Sequence, residues 1–187
     1  KRQDYNGVKL SAPHTVVRYF PRIESTFDRI EHWSTSADTS GFWLVQSGDG
    51  NIHFFGKTQA ARCADPDAPE HVAQWLLEES LSPHGEHIYY DYKSDTAAQD
   101  ASQPHDYRAQ RYLVRVCYAN LKALKNLVLW NSHVPADIQW HFELVLDYGE
   151  RAIGLTEKPT YTEHQPWLQR QDPFFNYTYG FELGTQR

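Results

Sequence analysis

The chain has 187 residues, enough for one sizeable domain or two small ones. Aromatic residues make up 14% of it, including 6 Trp and 12 Tyr, which predicts a folded rather than a disordered chain. Its 18 basic and 24 acidic residues give a net charge of −6, and no basic run interrupts them, which argues against nucleic-acid binding. No apolar run is long enough to span a bilayer.

The first residues, KRQDYNG, lack the charged and apolar regions of a signal peptide, and the sequence contains no Met. We therefore expect a piece of a longer protein. Residues 1–14 are polar and are predicted to be an approach segment. We expect a single domain over residues 1–187.

The first predicted strands are TVVRYFP and FDRIEHW, which are rich in β-branched and aromatic residues. A polar cluster at Ser34–Gly41 then predicts a turn into a third strand, FWLVQ. A second polar turn, Ser47–Asn51, leads back out through IHFFGK.

This glycine-containing turn can be compared with a similar unit later in the chain. WLVQSGDGNIHFF and WLLEESLSPHGEHIYYDY share a Trp, aliphatic residues, a polar stretch ending in Gly, and an aromatic-rich arm. Gly50 and Gly85 occupy the same place in the two units, where a hairpin loop favours positive φ. A phosphate-binding loop would lead into a helix, and NIHFFGK does not resemble one. Both units are predicted to be hairpins.

The segment DPDAPEHVAQWLLEESL supports two readings. Asp67 as a cap and Pro69 in a first turn favour a helix, whereas the alternation further on favours a strand. We predict a short helical turn near Pro69 followed by a strand from about Gln74. The small polar residues at 93–106 predict a mobile surface loop.

The clearest strand lies at residues 140–148, because apolar side chains alternate there with polar ones. The expected apolar face comprises Trp140, Phe142, Leu144, Leu146 and Tyr148. Residues 112–118 alternate similarly. The prediction for the whole chain is an all-β fold, a largely antiparallel meander of long hairpins. The rival fold is a compact β-sandwich binding module.

Few residues suggest a metal or redox site. Cys63 and Cys117 are far apart in sequence, and we expect two free structural thiols rather than a disulfide. His84 and His87 are the only close histidine pair, but spacing singles out no further ligand. We expect them to be exposed loop histidines and predict no metal and no cofactor.

The acidic candidates for catalysis are equally weak. Glu78 and Glu79 are adjacent, so on a strand they face opposite sides and cannot act as a carboxylate pair. We expect one to be solvated and the other paired with a neighbouring strand. At Asp147–Arg151, a strand end with a local ion pair to Arg151 is the expected arrangement.

Two further motifs are considered. The Ser-Thr-Ser triplet Ser34–Ser36 occurs in ADP-ribosyltransferases, but that chemistry also needs a Glu-x-Glu pair, and no two glutamates here are two residues apart. The tryptophans Trp43, Trp75 and Trp140 could form a sugar platform, although such residues are more often packed than displayed. We predict no catalytic residue and no enzyme activity in this chain.

Four stretches resemble a known family: RYFPRIESTFDRIEHW, DGNIHFFGKTQAARCADP, QWLLEESLSPHGEHIYYDY and FELVLDYGER, followed by WLQRQDPFFNYTYGFEL. Together they are similar to the SpvB/TcaC-type domain. That domain occurs at the N-terminus of the B components of insecticidal Tc toxin complexes and of the Salmonella virulence protein SpvB. The resemblance extends from about Thr15 to Arg187. One departure is Gly184, which stands where a basic residue is common.

The resemblance implies a structural role in a secreted bacterial toxin. In the family, the B component and its partner build a hollow β-shell related to Rhs/YD-repeat proteins, which encloses a toxic C-terminal segment. The implied partners are other toxin-complex components or the effector domain of the same chain. The alternative is a sugar- or receptor-binding β-domain attached to an ADP-ribosyltransferase toxin.

Overall fold

The described part of the chain consists mainly of β-strands. A computed structural model describes residues 1–95, 105–131, 138–150 and 167–187. Two short 3₁₀ helices lie at Gln59–Ala61 and Val128–Asn131. The strands are β1 (Arg2–Tyr5), β2 (Val8–Tyr19), β3 (Arg29–Ser34), β4 (Phe42–Gln46), β5 (Ile52–Phe55), β6 (Arg62–Ala64), β7 (Val72–Trp75), β8 (Leu77–Leu81), β9 (His87–Ser94), β10 (Arg111–Asn120), β11 (Trp140–Val145), β12 (Phe174–Thr178) and β13 (Phe181–Thr185).

Nine strands form one sheet in the order β1-β2-β3-β4-β5-β8-β9-β10-β11. All of its strand pairs are antiparallel. Neighbours in the sheet are consecutive in the chain except at β5–β8, where the hairpin β6–β7 is inserted. A second hairpin, β12–β13, follows the large sheet. The predicted all-β antiparallel meander is therefore confirmed.

The first residues differ from the prediction, because they form a hairpin rather than an approach segment. β1 pairs with the first part of β2, and the turn between them contains Asn6 (φ 47°) and Gly7 (φ 82°). Two consecutive positive φ angles suit a type I′ turn, for which Asn-Gly is the strongest sequence signal. That signal is present in DYNGVKL and outweighs the polar composition around it.

The two glycine loops are built alike, as predicted. The N–H of Gly50 donates to the carbonyl of Ser47 over 2.9 Å, and that of Gly85 donates to Ser82 over 3.0 Å. Both glycines have positive φ angles, 90° and 86°. The loops thus turn β4 into β5 and β8 into β9 with the same geometry, and the hairpin interpretation is confirmed.

The helical turn predicted near Pro69 is wrong. The N–H of His71 donates to the carbonyl of Ala68 over 2.8 Å, so Pro69 lies in a tight turn between β6 and β7. The strand expected from about Gln74 begins at Val72 and breaks at Leu76. The N–H of Leu76 donates to the carbonyl of Ala61, and the carbonyl of Leu76 accepts the N–H of Gly56. The strand breaks here because the chain pairs with β6 before this residue and with β5 after it.

The main core lies on one face of the large sheet. At its centre the ring of Trp33 packs 5.2 Å from Trp130, measured between ring centroids. Trp130 belongs to the second 3₁₀ helix, so this short helix covers the sheet face. The other buried members of the cluster are Tyr5, Leu10, Phe42, Leu44, Phe54, Leu81, Leu127 and Leu129.

The remaining predicted segments agree only in part with the observed strands. β10 covers the predicted alternation at 112–118, whereas β11 ends at Val145, short of the predicted 148. In the predicted polar loop 93–106, Lys93 and Ser94 belong to β9, and residues 96–104 lie outside the described ranges.

Candidate interaction surface

The strand register places one residue from each of eight neighbouring strands in a row on the sheet face opposite the main core. Residues directly opposite each other in antiparallel pairs share a face. The row is Tyr19, Ile30, Val45, His53, Ser80, Ile88, Tyr118 and Phe142. Six of the eight are apolar or aromatic carbon-rich side chains, so this outer face is not a conventional polar surface.

One end of the row is exposed to solvent. Phe142 is 57% exposed and its ring stacks on Tyr118 at 5.4 Å between centroids, and Leu144 on the same strand is 56% exposed. We call Ile88, Tyr118, Phe142 and Leu144 the apolar ladder. The sequence predicted Phe142 and Leu144 on one apolar face of a strand, and in the structure both side chains are more than half exposed. Large contiguous patches of exposed apolar side chains mark interaction sites, which makes this face a candidate one.

The other end of the same face forms a groove. It has a volume of about 420 Å³ and is lined by Trp43, Trp75, Ile30, Val45 and Phe55, among others. The two indole rings meet edge to face, with centroids 6.1 Å apart, and Nε1 of Trp75 donates to the carbonyl of Gly41.

The three tryptophans considered as a sugar platform have intermediate solvent exposure. Trp43, Trp75 and Trp140 are each half-buried. The expectation that they are packed is therefore met only in part, because none of the three is fully buried and none is fully exposed.

The loop between β2 and β3 is a second exposed apolar feature. Phe20, Ile23 and Phe27 project from it and are largely exposed. Phe27 has φ +57°, a left-handed conformation that costs a non-glycine residue about 1 kcal/mol or more. The carboxylate of Glu24 accepts the N–H of Phe27 over 2.8 Å and holds this geometry.

The expectation that His87 is exposed is wrong. His84 is exposed as expected, but His87 is buried and lies 2.8 Å from the carboxylate of Glu79. The second ring nitrogen of His87 contacts the carbonyl of Leu124 at 3.0 Å. Within the described ranges, no group of three or more His, Cys, Asp or Glu side chains could hold a metal ion.

Glu78 and Glu79 were expected to include one solvated carboxylate, and this is also wrong, since both are buried. Glu78 accepts the N–H of Thr58 at 2.9 Å and its hydroxyl at 2.6 Å. Burial raises the pKa of the Glu78 carboxyl, and the bonds from Thr58 oppose that rise. Adjacent strand residues do point to opposite faces, but here each face is covered by another part of the chain.

The triplet Ser34–Ser36 ends β3 and starts the turn that precedes β4. In this turn Thr35 Oγ1 accepts the N–H of Asp38. Asp38 in turn binds the buried Arg62 through both carboxylate oxygens, at 2.9 and 2.7 Å. Sequence reasoning missed this pair, since 24 residues separate its members and no local pattern marks it.

The acidic side chains after β11 accept hydrogen bonds from nearby backbone N–H groups. Asp147 accepts the N–H of Gly149 at 2.8 Å, and Glu150 accepts the N–H of Tyr148 at 2.7 Å. Arg151 lies outside the described ranges, so the expected ion pair stays a prediction.

The two cysteines are free and buried, as expected. Burial raises the pKa of both Cys63 and Cys117, which disfavours the reactive thiolate. No helix among the described residues is both long and apolar enough to cross a membrane.

These features define a class of protein: an all-β module whose large antiparallel sheet buries one face and leaves apolar groups on the other. The family described as SpvB, Salmonella virulence plasmid 65kDa B protein, matches residues 1–187, and the chain belongs to this family. It is 45% identical over 189 residues to the Mono(ADP-ribosyl)transferase SpvB of Salmonella typhimurium, covering 98% of this chain and 32% of that protein. The chain thus spans about a third of the length of the curated relatives it matches.

Two solved structures agree with this assignment. The N-terminal domain of the effector protein SpvB from Salmonella typhimurium is 44% identical with a TM-score of 0.89, covering 100% of this chain and 59% of that one. A chain of the Tc holotoxin pore of Photorhabdus luminescens is 41% identical with a TM-score of 0.87, covering 100% and 9%. The relatives of this chain are therefore virulence and toxin-complex proteins, and the resemblance seen in the sequence is confirmed.

Proposed function

We propose that this chain is a non-catalytic structural module of a bacterial toxin or virulence protein, part of a β-shell scaffold that encapsulates or delivers a toxic effector. Its partners are other toxin-complex components or the effector domain of the same parent chain. A secreted location belongs to the same proposal, because a relative is named an effector and another belongs to a Tc holotoxin pore.

The observation that carries the proposal is the row of apolar side chains on the outer sheet face, ending in the apolar ladder. The apolar ladder suits a contact surface, since fully burying an exposed Phe or Leu side chain yields about 1.5–3 kcal/mol. A wall segment needs such a surface, because it packs against neighbouring segments on more than one side.

The buried acids also support a structural role. Glu79 accepts two backbone N–H groups and Glu182 accepts the N–H of Asp106. Carboxylates whose oxygens accept backbone N–H groups hold the loops in place. They are poorly placed to exchange protons with a substrate.

Substitution of Phe142 and Leu144 by Ser in the parent protein tests the proposal. We expect at least a tenfold loss of co-purifying toxin components, since about 1.4 kcal/mol of lost binding corresponds to that factor. Tyr177→Ser, at an exposed position on the separate hairpin β12–β13, is the matched control and should retain them. An unchanged assembly of the Ser variants, or hydrolysis of NAD by the isolated chain, would contradict the proposal.

The groove at Trp43 and Trp75 favours a second candidate function, a sugar- or receptor-binding β-domain attached to an ADP-ribosyltransferase toxin. Half-buried indole rings beside the amide of Gln74 combine an apolar face with a hydrogen-bonding group, as sugar sites do. Titration with sugars while Trp fluorescence is followed distinguishes the two. Saturable quenching that Trp43→Ala abolishes would favour this candidate over the scaffold.

A further inference from the structure

The groove on the outer sheet face has a floor and a wall that come from different parts of the chain. The floor belongs to β3, β4 and β5 and carries Ile30, Trp43, Val45 and Phe55. The wall belongs to β7 of the inserted hairpin and carries Ala73, Gln74 and Trp75. The volume of the groove, about 420 Å³, lies within the usual range for small-molecule sites, about 300–1,000 Å³.

Aromatic rings surround this groove at steep angles to one another. The ring planes of Trp43 and Trp75 are 85° apart. The rings of Tyr19 and His32 pack beside Trp43, at 5.0 and 4.8 Å between centroids. A ligand in the groove therefore meets π-systems from more than one side, and the faces of such rings carry partial negative charge.

The charge distribution favours a cation in the groove. No Lys or Arg of the described residues lines it, and none of them lies over the ring of Trp43 or Trp75. Other rings of the chain do have such a cation, for example Phe42, whose centroid lies 4.5 Å from the ammonium of Lys57. The whole chain has a net charge of −6. Since Trp is the side chain that attracts cations best, the two indole faces suit a positively charged ligand.

The polar groups of the groove restrict the kind of cation. Among the described lining residues, the amide oxygen of Gln74 is the one side-chain acceptor, and Nε1 of Trp75 already donates to the carbonyl of Gly41. A primary ammonium brings three N–H donors, which a single acceptor leaves largely unpaired. A quaternary ammonium has no N–H group, and its methyl groups suit the apolar floor at Ile30 and Val45.

We propose that this groove binds a quaternary ammonium group, held against the rings of Trp43 and Trp75 above the apolar floor. Two sources share this chemistry: a free choline-type compound, or the choline headgroup of a phosphatidylcholine bilayer. The groove is the one considered above for sugars, so the experiment compares the two ligands directly. The apolar ladder takes no part in it, so its failure would leave the scaffold function untouched.

NMR of the indole N–H groups tests the proposal at the level of single residues. Choline, its neutral isostere 3,3-dimethylbutan-1-ol, ammonium and glucose are titrated into the chain at equal ionic strength. We expect choline to shift the signals of Trp43 and Trp75 saturably, whereas those of Trp33 and Trp130 in the main core stay unchanged. The isostere has the same shape without the charge, so it should bind about five- to thirtyfold more weakly, the usual effect of losing a cation–π contact. Ammonium should give no saturable shift.

A charge introduced beside the groove provides a variant that leaves the core intact. Gln74 is exposed, so Gln74→Lys should fold and should weaken choline binding about threefold or more through like-charge repulsion. Gln3→Lys, at an exposed position of β1, is the matched control and should bind like the wild type.

Vesicles distinguish the two sources. Co-sedimentation with phosphatidylcholine but not with phosphatidylglycerol vesicles, competed by choline, indicates the lipid headgroup, whereas binding of dissolved choline alone indicates a free compound. Four results would overturn the proposal: no saturation by about 50 mM choline together with no binding to phosphatidylcholine, equal affinity for the isostere, unchanged affinity in Gln74→Lys, or shifts caused by glucose and not by choline.

Discussion

Oε1 of Glu79 lies 2.8 Å from Nδ1 of His87, and neither side chain has any exposed surface. Nε2 of His87 lies 3.0 Å from the carbonyl of Leu124, so both ring nitrogens face hydrogen-bond acceptors. Glu79 also accepts the N–H groups of Val128 and Leu129, at 2.8 and 3.0 Å. The pair therefore ties the 3₁₀ helix that covers the main core to strands β8 and β9.

Glu79→Gln should destabilise the fold by about 2–4 kcal/mol, because the amide cannot accept all of the buried hydrogen bonds that the carboxylate accepts. Urea unfolding followed by Trp fluorescence measures this, since Trp130 lies in the segment held by Glu79. Glu143→Gln, on an exposed position of β11, is the control and should change stability by less than about 0.5 kcal/mol. Equal unfolding midpoints for the two variants would show that the pair is not needed.

A second prediction concerns the loop between β4 and β5. Gly50→Val should cost about 1 kcal/mol or more, because φ is +90° and a Cβ would lie 3.0 Å from Cγ of Pro83. Asp49 accepts hydrogen bonds from Ser47 and Asn51 at the exposed tip, so Asp49→Ala should lower the melting temperature less. Thermal melting of both variants checks this order, and a wild-type melt for Gly50→Val would refute the assigned turn geometry. A binding event lost in Asp49→Ala would refute the purely structural role of the loop.

The strands were predictable where the signal is local. The shared pattern around Gly50 and Gly85 depends on a few adjacent residues, and the loop geometry follows from it. Asn6-Gly7 carried an equally local signal, and polar composition obscured it. Local chemistry thus determines most of the nine-stranded order, since each hairpin places its strand beside the previous one.

The environment of side chains was not predictable in the same way. His87 belongs to a loop-like sequence, yet Leu124, 37 positions later, covers it. Phe142 shows the converse, because its alternating pattern indicates an apolar face without indicating what packs on that face. Burial depends on segments distant in the sequence, and one chain without its partners does not specify them.

Gly184 stands where the sequence resemblance implies a basic residue, and the structure explains why a side chain is unfavourable at this position of the chain. A Cβ at this position would lie 2.8 Å from Cδ1 of Tyr107 and 3.0 Å from the ring of Phe175. The Phe175 ring also stacks on His105 at 3.6 Å between centroids, which limits its movement. Gly184→Lys should therefore cost about 1–3 kcal/mol, the usual effect of overpacking.

Gly48→Ala is the matched control for this substitution, since its Cβ would meet only the carbonyl oxygen of Thr26, at 3.3 Å. Chemical denaturation of both variants gives the comparison. A Gly184→Lys variant as stable as the wild type would mean that the two rings move aside without loss of packing.

The last prediction concerns acid unfolding and the pair Asp38–Arg62. Burial alone would raise the pKa of Asp38, but the hydrogen bonds and charge of Arg62 outweigh it and lower the pKa below its ordinary value. A carboxyl with a lowered pKa in the folded state contributes stability above its unfolded pKa, about 4, and loses it as the pH falls through the folded value. Asp38→Asn should therefore melt well below the wild type at pH 7, and the gap should narrow below about pH 4. Melting temperatures of both proteins at several pH values test this, with Asp4→Asn, at an exposed residue of β1, as the control. A gap that stays constant down to about pH 2.5 would show that the charge of Asp38 does not support the fold.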